Sequence, residues 1–152
     1  MAEFTNNAIQ LVQPNQAVQL EGSFWGRRNY IFHQRESGII TLRGIVNNPY
    51  AEFALYQITF NGNIALPIGA TVGPIAVAIA RNGEPLLTSR AIVTPAAVED
   101  YFNVTSTAFI VVPRGCCFDI SVENVSESAT PATTPAPTIN VQNANLVIQR
   151  VA

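Results

Sequence analysis

Side chains able to do chemistry are few in this sequence, and their spacing assembles no familiar site. His33 is the sole histidine. It sits beside Phe32, Gln34 and Arg35 in an extended run, the setting of a structural or surface histidine. One histidine with two aspartates, Asp100 and Asp119, offers no Ser-His-Asp arrangement. Glu99 and Asp100 are adjacent and lack the separation that a glycosidase pair needs. Cys116 and Cys117 are also adjacent, and neighbouring strand residues point to opposite faces, so they are expected as two reduced thiols that behave as small hydrophobes. With one histidine and no second cysteine pair, a metal site is not expected. No Gly-rich phosphate loop appears. The sequence therefore predicts no enzyme chemistry and no cofactor.

Two features point to recognition instead. Phe24-Trp25-Gly26-Arg27-Arg28 gathers aromatic and basic residues in one segment. Phe24, Trp25, Arg27 and Arg28 could form a partner or ligand platform, since Trp and Arg dominate binding hot spots, or could anchor a loop over one end of the fold. Asn103-Val-Thr105 and Asn124-Val-Ser126 match the glycosylation acceptor pattern. That pattern is short, and Met1 to Asn7 has neither the basic region nor the apolar segment of a secretory signal, so both matches are read as accidental.

These residues must be carried by strands. Period-two alternation runs from end to end, in short segments separated by turn residues every 8 to 12 positions, the pattern of a sandwich or barrel. Ala54, Tyr56, Ile58 and Phe60 share one face of a strand that Asn61-Gly62 is expected to end in a hairpin. Asn82-Gly83 predicts a second hairpin, after Ile75 to Ala80, and Leu86-Leu87 continues the meander. Phe118, Ile120 and Val122 are expected inward, with Asp119, Ser121 and Glu123 outward. Ala144, Leu146 and Ile148 share a face of the last strand. Pro95 to Tyr101 is the one stretch that reads as helical. A Pro/Thr-rich segment at 127–138 is expected as an exposed loop. Residues 1–22 read as an N-terminal strand or arm region and 23–152 as the main body, a single domain overall.

Composition bears on partners. The 152 residues are 48% hydrophobic and only 12% charged, with a net charge of -2. All eight basic residues are arginine, with no run longer than Arg27-Arg28, so there is no positive face for nucleic acid. No apolar stretch reaches the ~20 residues of a membrane helix, and no membrane insertion is expected. A surface so poor in charge favours burial against a copy of the chain. On the strand at Ile75 to Ala80, Ile75, Val77 and Ile79 suit a core. Ala76, Ala78 and Ala80 suit either close approach of another surface or cover within one subunit.

From Ile39 onward the order of landmarks resembles the tumour-necrosis-factor-like and complement-globular-head jelly-roll family. Ala54-Leu-Tyr-Gln-Ile-Thr-Phe60, Val77-Ala-Ile-Ala-Arg-Asn-Gly-Glu-Pro85, Ser106 to Gly115 and Asn143 to Ile148 carry the resemblance. The stretches Ala91 to Val104, Val112 to Cys117 and Val141 to Val147 look like small structural proteins of phages and prophages in anaerobic Gram-positive gut bacteria. The resemblance implies an all-β, ten-strand, two-sheet jelly-roll sandwich that forms a homotrimer. It also implies a virion role, as a capsid decoration trimer or fibre head touching other virion proteins such as the major capsid protein. The alternative is a secreted or cell-surface head that recognises a host protein or glycan.

Replacing Cys116 and Cys117 together by Ser is expected to leave oligomer mass unchanged and to cost packing alone, about 1 to 3 kcal/mol. A fold that collapses only under reducing conditions would contradict this.

Overall fold

The computed structural model describes residues 1–25, 30–33, 37–46, 48–115, 117–128 and 135–151, and for residues 22–25 the backbone alone. Apolar alternation sorts its strands into two six-stranded antiparallel sheets facing each other across one core. Sheet A runs in the order β10 (Phe102–Pro113), β6 (Phe53–Ala65), β12 (Ile139–Arg150), β1 (Ala2–Asn6), β3 (Gly22–Trp25), with β2 (Gln10–Val12) also on β12. Sheet B runs β4 (Ile31–His33), β5 (Ile40–Arg43), β11 (Cys117–Asn124), β7 (Ile75–Arg81), β8 (Glu84–Pro85), with β9 (Ala91–Val93) also on β7. From β5 onward the chain passes back and forth between the sheets, as in a jelly roll. The described strands number twelve rather than ten, because the two- and three-residue β8 and β2 count separately.

The N-terminal region is part of the body. β1 lies between β12 and β3, and Phe4 is fully buried opposite Leu146. The inward sets on β6 and β12 are as expected: Ala54, Tyr56, Ile58 and Phe60 face Ala144, Leu146 and Ile148 within one cluster. Asn82 and Gly83, with φ of 52° and 82°, make the expected two-residue hairpin between β7 and β8.

Three expectations fail, each for a physical reason. Asn61-Gly62 makes no hairpin, because β6 continues through it, paired with β10 from Phe102 to Pro113 and with β12 on its other side. Gly62 serves packing instead: a Cβ there would lie 2.9 Å from Cζ of the buried Phe60 ring. Pro95 to Tyr101 forms bends and a turn rather than a helix, with Glu99 at φ 57° and its N–H donating to the Leu66 carbonyl at 2.8 Å. Leu86-Leu87 leaves the sheet, and Leu87–Ser89 form a short 3-10 turn.

That turn helps to close the sandwich. The Ile79 N–H donates to Ser89 Oγ at 3.0 Å, and Ser106 Oγ of β10 donates to the Ser89 carbonyl. A second tie runs from Tyr56 of β6, whose hydroxyl donates to the Arg43 carbonyl of β5 at 2.6 Å. A third is the fully buried Asn124, whose Nδ2 donates to the carbonyls of Val12 and Pro137 while Oδ1 accepts from the Ser126 N–H.

Gly62→Ala is expected to force the Phe60 ring out of place and to destabilise the domain by about 1 to 3 kcal/mol, the usual cost of overpacking. Chemical denaturation checks this, and an unchanged midpoint would show that the ring has room to move.

Candidate functional site

The residues proposed from sequence do not meet in one place. Ala76, Ala78 and Ala80 are 4%, 0% and 0% exposed in the single chain, so that face of β7 is covered within the subunit and offers no free surface. Of the aromatic and basic cluster, Phe24 and Trp25 lie on β3 at the edge of sheet A, in register with Glu3 and Ala2. Arg27 and Arg28 lie outside the described residues, as do Cys116 and positions 129–134 of the Pro/Thr-rich segment. Cys117 is a free, exposed thiol. His33 Nε2 lies 3.0 Å from the Ser37 carbonyl, and its ring packs 4.9 Å from that of Phe4, a structural role. Among the described residues no group of three or more His, Cys, Asp or Glu is placed to hold a metal ion, and no helix is long and apolar enough to cross a membrane.

The surface that stands out is the outward side of sheet A. On β10 it shows Asn103, Thr105, Thr107, Phe109, Val111 and Pro113; on β6 it shows Phe53, Leu55, Gln57, Thr59, Asn61 and Asn63. β12 adds Gln142, Asn145, Val147 and Gln149. None of these carries a charge. The face is graded. Phe53, Phe109 and Val111, 47%, 59% and 45% exposed, make one end apolar. A Thr/Gln band follows, in which Thr59 and Thr107 approach to 3.4 Å. The far end is a carboxamide ladder. Asn103 Nδ2 donates to Oδ1 of Asn61 at 2.8 Å and of Asn63 at 3.1 Å, and Asn63 Nδ2 donates to Asn143 at 3.4 Å. Asn143 in turn donates to Asn7. A bulge between Gln142 and Asn145, with Asn143 at φ 55°, aims this last amide into the row. Glu3 on β1 borders the face and accepts from Asn145 Nδ2 at 2.5 Å.

Sequence reasoning overlooked this face by following only the inward parity. The complementary positions of the same strands, read outward, already lack every charge.

No family model and no curated protein matches the sequence. Among solved structures, the globular domain of zebrafish complement 1qA protein is 12% identical, with a TM-score of 0.49 over 96% of this chain and 94% of that one. The C-terminal domain of EclA, a sugar-binding protein, is 14% identical with a TM-score of 0.42, covering 95% and 79%. The CBM22-1 xylan-binding domain from Paenibacillus barcinonensis Xyn10C is 11% identical with a TM-score of 0.35, covering 99% and 87%. Likenesses this distant leave function to the chain's own residues.

The outer side of sheet B differs in kind. Asp119 is exposed as expected; Ser121 and Glu123 lie on the outer side as expected but are covered, at 6% and 7% exposed. Glu123 stands between Ala17 and Ala78. Burial raises its pKa above the ordinary 4.5, and a hydrogen bond from Ser121 offsets part of the rise. A raised folded-state pKa means that this group's contribution to stability is whole below 4.5 and is lost as pH climbs through the raised value. Glu123→Gln is therefore expected to gain stability relative to the parent as pH rises from 4 to 7. Paired urea titrations across that range check it, and a Gln variant that loses ground toward neutral pH would overturn it.

Proposed function

We propose that the chain is a non-enzymatic head domain that assembles with copies of itself through the neutral face of sheet A. The observation that carries this reading is the absence of charge from every outward position of three long adjacent strands, together with exposed Phe53, Phe109 and Val111 at one end. A solvated sheet face normally bears charged residues, which keep monomers apart. Three strands at about 4.8 Å spacing and rows of about twelve residues give a face of roughly 500 to 600 Å², somewhat under the ~800 Å² that one partner contributes to a standard interface. The graded layout would align Thr, Gln and Asn with their counterparts around an axis, so that polar groups removed from water find partners.

The jelly-roll resemblance favours three copies, and the phage-like motifs favour a virion setting. There the trimer would decorate a capsid or head a fibre, with the major capsid protein or another virion protein as its neighbour. The second reading is an extracellular or cell-surface binding head. It is favoured by a cleft of about 440 Å³ between the loop from Pro67 to Pro74 and the loop residues Pro135 to Thr138, an apolar end-of-sandwich recess of ligand size.

Light scattering on the unmodified protein is expected to give three times the chain mass. Phe109→Glu, at an exposed position, is expected to yield a folded monomer, whereas Ala78→Arg, which places a charge inside the subunit, is expected to destroy the fold. A monodisperse, folded monomer of the unmodified chain at micromolar concentration would overturn the assembly reading.

A further inference from the structure

The outer side of sheet B holds a recess of about 410 Å³, lined among others by Ala17, Ile39, Asn82, Asp119, Ser121 and Glu123. Its two carboxylates sit in different surroundings. Asp119 accepts from the Thr41 hydroxyl at 2.7 Å, and its backbone N–H and carbonyl are both engaged by Asn82. Glu123 is 7% exposed, has alanine on both sides, and is supported by the Ser121 hydroxyl. Among the described residues the one ion pair is Arg90 with Glu127, so no described cation answers Glu123.

We propose that this recess receives a primary ammonium group on an aliphatic stem, as a lysine side chain of a partner presents it, with Glu123 as its counter-charge. A carboxylate drawn out of water gains most from a cation that enters with hydrogen bonds. Ammonium is compact and carries three donors, which suits the oxygens of Glu123 and Ser121 at the floor. A planar guanidinium needs a flat fork of acceptors instead. Ala17 and Ile39 supply apolar wall for the methylenes, as lysine stems require. The donor cannot be a lysine of a second copy, because the chain contains none. The partner is therefore a different molecule, and this inference rests on the reading of the chain as a recognition domain.

The test is a titration of the full chain with Nα-acetyl-lysine N-methylamide, followed by amide chemical shifts. Saturable shifts are expected at Ala17, Ile39, Asn82, Ser121 and Glu123. The norleucine analogue, which keeps the stem and drops the ammonium, is expected to bind at least about tenfold more weakly, and so is Glu123→Gln with the lysine analogue. Ala17→Leu, which fills the recess while keeping the carboxylate, is a second variant expected to abolish the shifts. Equal binding by the norleucine or arginine analogue, shifts confined to other surfaces, or undiminished binding by either variant would overturn the proposal. Light scattering on the same samples separates the two readings. A trimer without ammonium binding overturns the recess alone, and a monomer that still binds the lysine analogue supports the recess while overturning assembly.

Discussion

One buried carboxamide holds together parts of the chain far apart in sequence. Asn124 ends β11, and its side chain spans Val12 at the N-terminal side and Pro137 at the entry to the last strand. Its backbone exchanges further bonds with the turn before Ala17, through Asn15 N–H at 2.9 Å and the Gln16 carbonyl at 3.1 Å. A carboxamide at zero exposure is tolerable only because Nδ2 and Oδ1 are both satisfied. Removing it would leave carbonyls of two separate segments without donors. The same geometry bears on the Asn124-Val-Ser126 acceptor pattern, since Nδ2 is occupied twice inside the folded domain. In Asn103-Val-Thr105 the asparagine is exposed, yet its Nδ2 is already shared by Asn61 and Asn63.

Ordering both ends of the chain around β11 leaves the two sheets with different outer sides. Sheet A gives its core-facing side to large apolar residues and the outer side of β10, β6 and β12 to neutral ones of graded polarity. Sheet B carries small residues outside β7 and buries Ser121 and Glu123 beside them. A cut through the molecule thus meets a broad flat neutral face, a dense core, and a recessed face with an acid in it. The first is the side proposed to meet a copy of the chain. The recessed face is the side proposed to receive an ammonium group, which no lysine of this chain supplies.

The fold was legible where local pattern and long-range pairing agree. Alternation on β6, β11 and β12 identified the core residues because period two is set by the pleat itself. The two Asn-Gly pairs show the limit. At Asn82-Gly83 nothing competes with the turn and it forms. At Asn61-Gly62 pairing of β6 with β10 along its length and with β12 on the other side outweighs the turn preference, and glycine is used for the space it leaves to Phe60. Pro95 to Tyr101 read as a helix from proline and alanine content, but too short a run was available to offset the cost of starting one. The candidate sites were less legible. The alanine stripe was a correct reading of small side chains, but covering within the subunit is decided by segments remote in sequence. The neutral face needed only the outward parity. The recess needed Ala17, Asn82 and Glu123 to be neighbours, which no local pattern states.

The placement of the cations completes the account of that neutrality. Arg43, Arg81 and Arg150 are the last residues of β5, β7 and β12, Arg90 directly precedes β9, and Arg114 follows β10. Each described arginine therefore sits at a strand end, on the rim of the sandwich rather than on a face. There the planar guanidinium finds work that an ammonium does less well. Arg150 lies 4.2 Å over the Tyr30 ring and Arg81 5.3 Å over Phe118, while Arg114 donates to the Pro49 carbonyl at 2.9 Å and Arg90 pairs with Glu127. The five described arginines thus place their charge at the edges of the sandwich. Among the described residues, none of these guanidinium groups pairs with Glu123 of the recessed side.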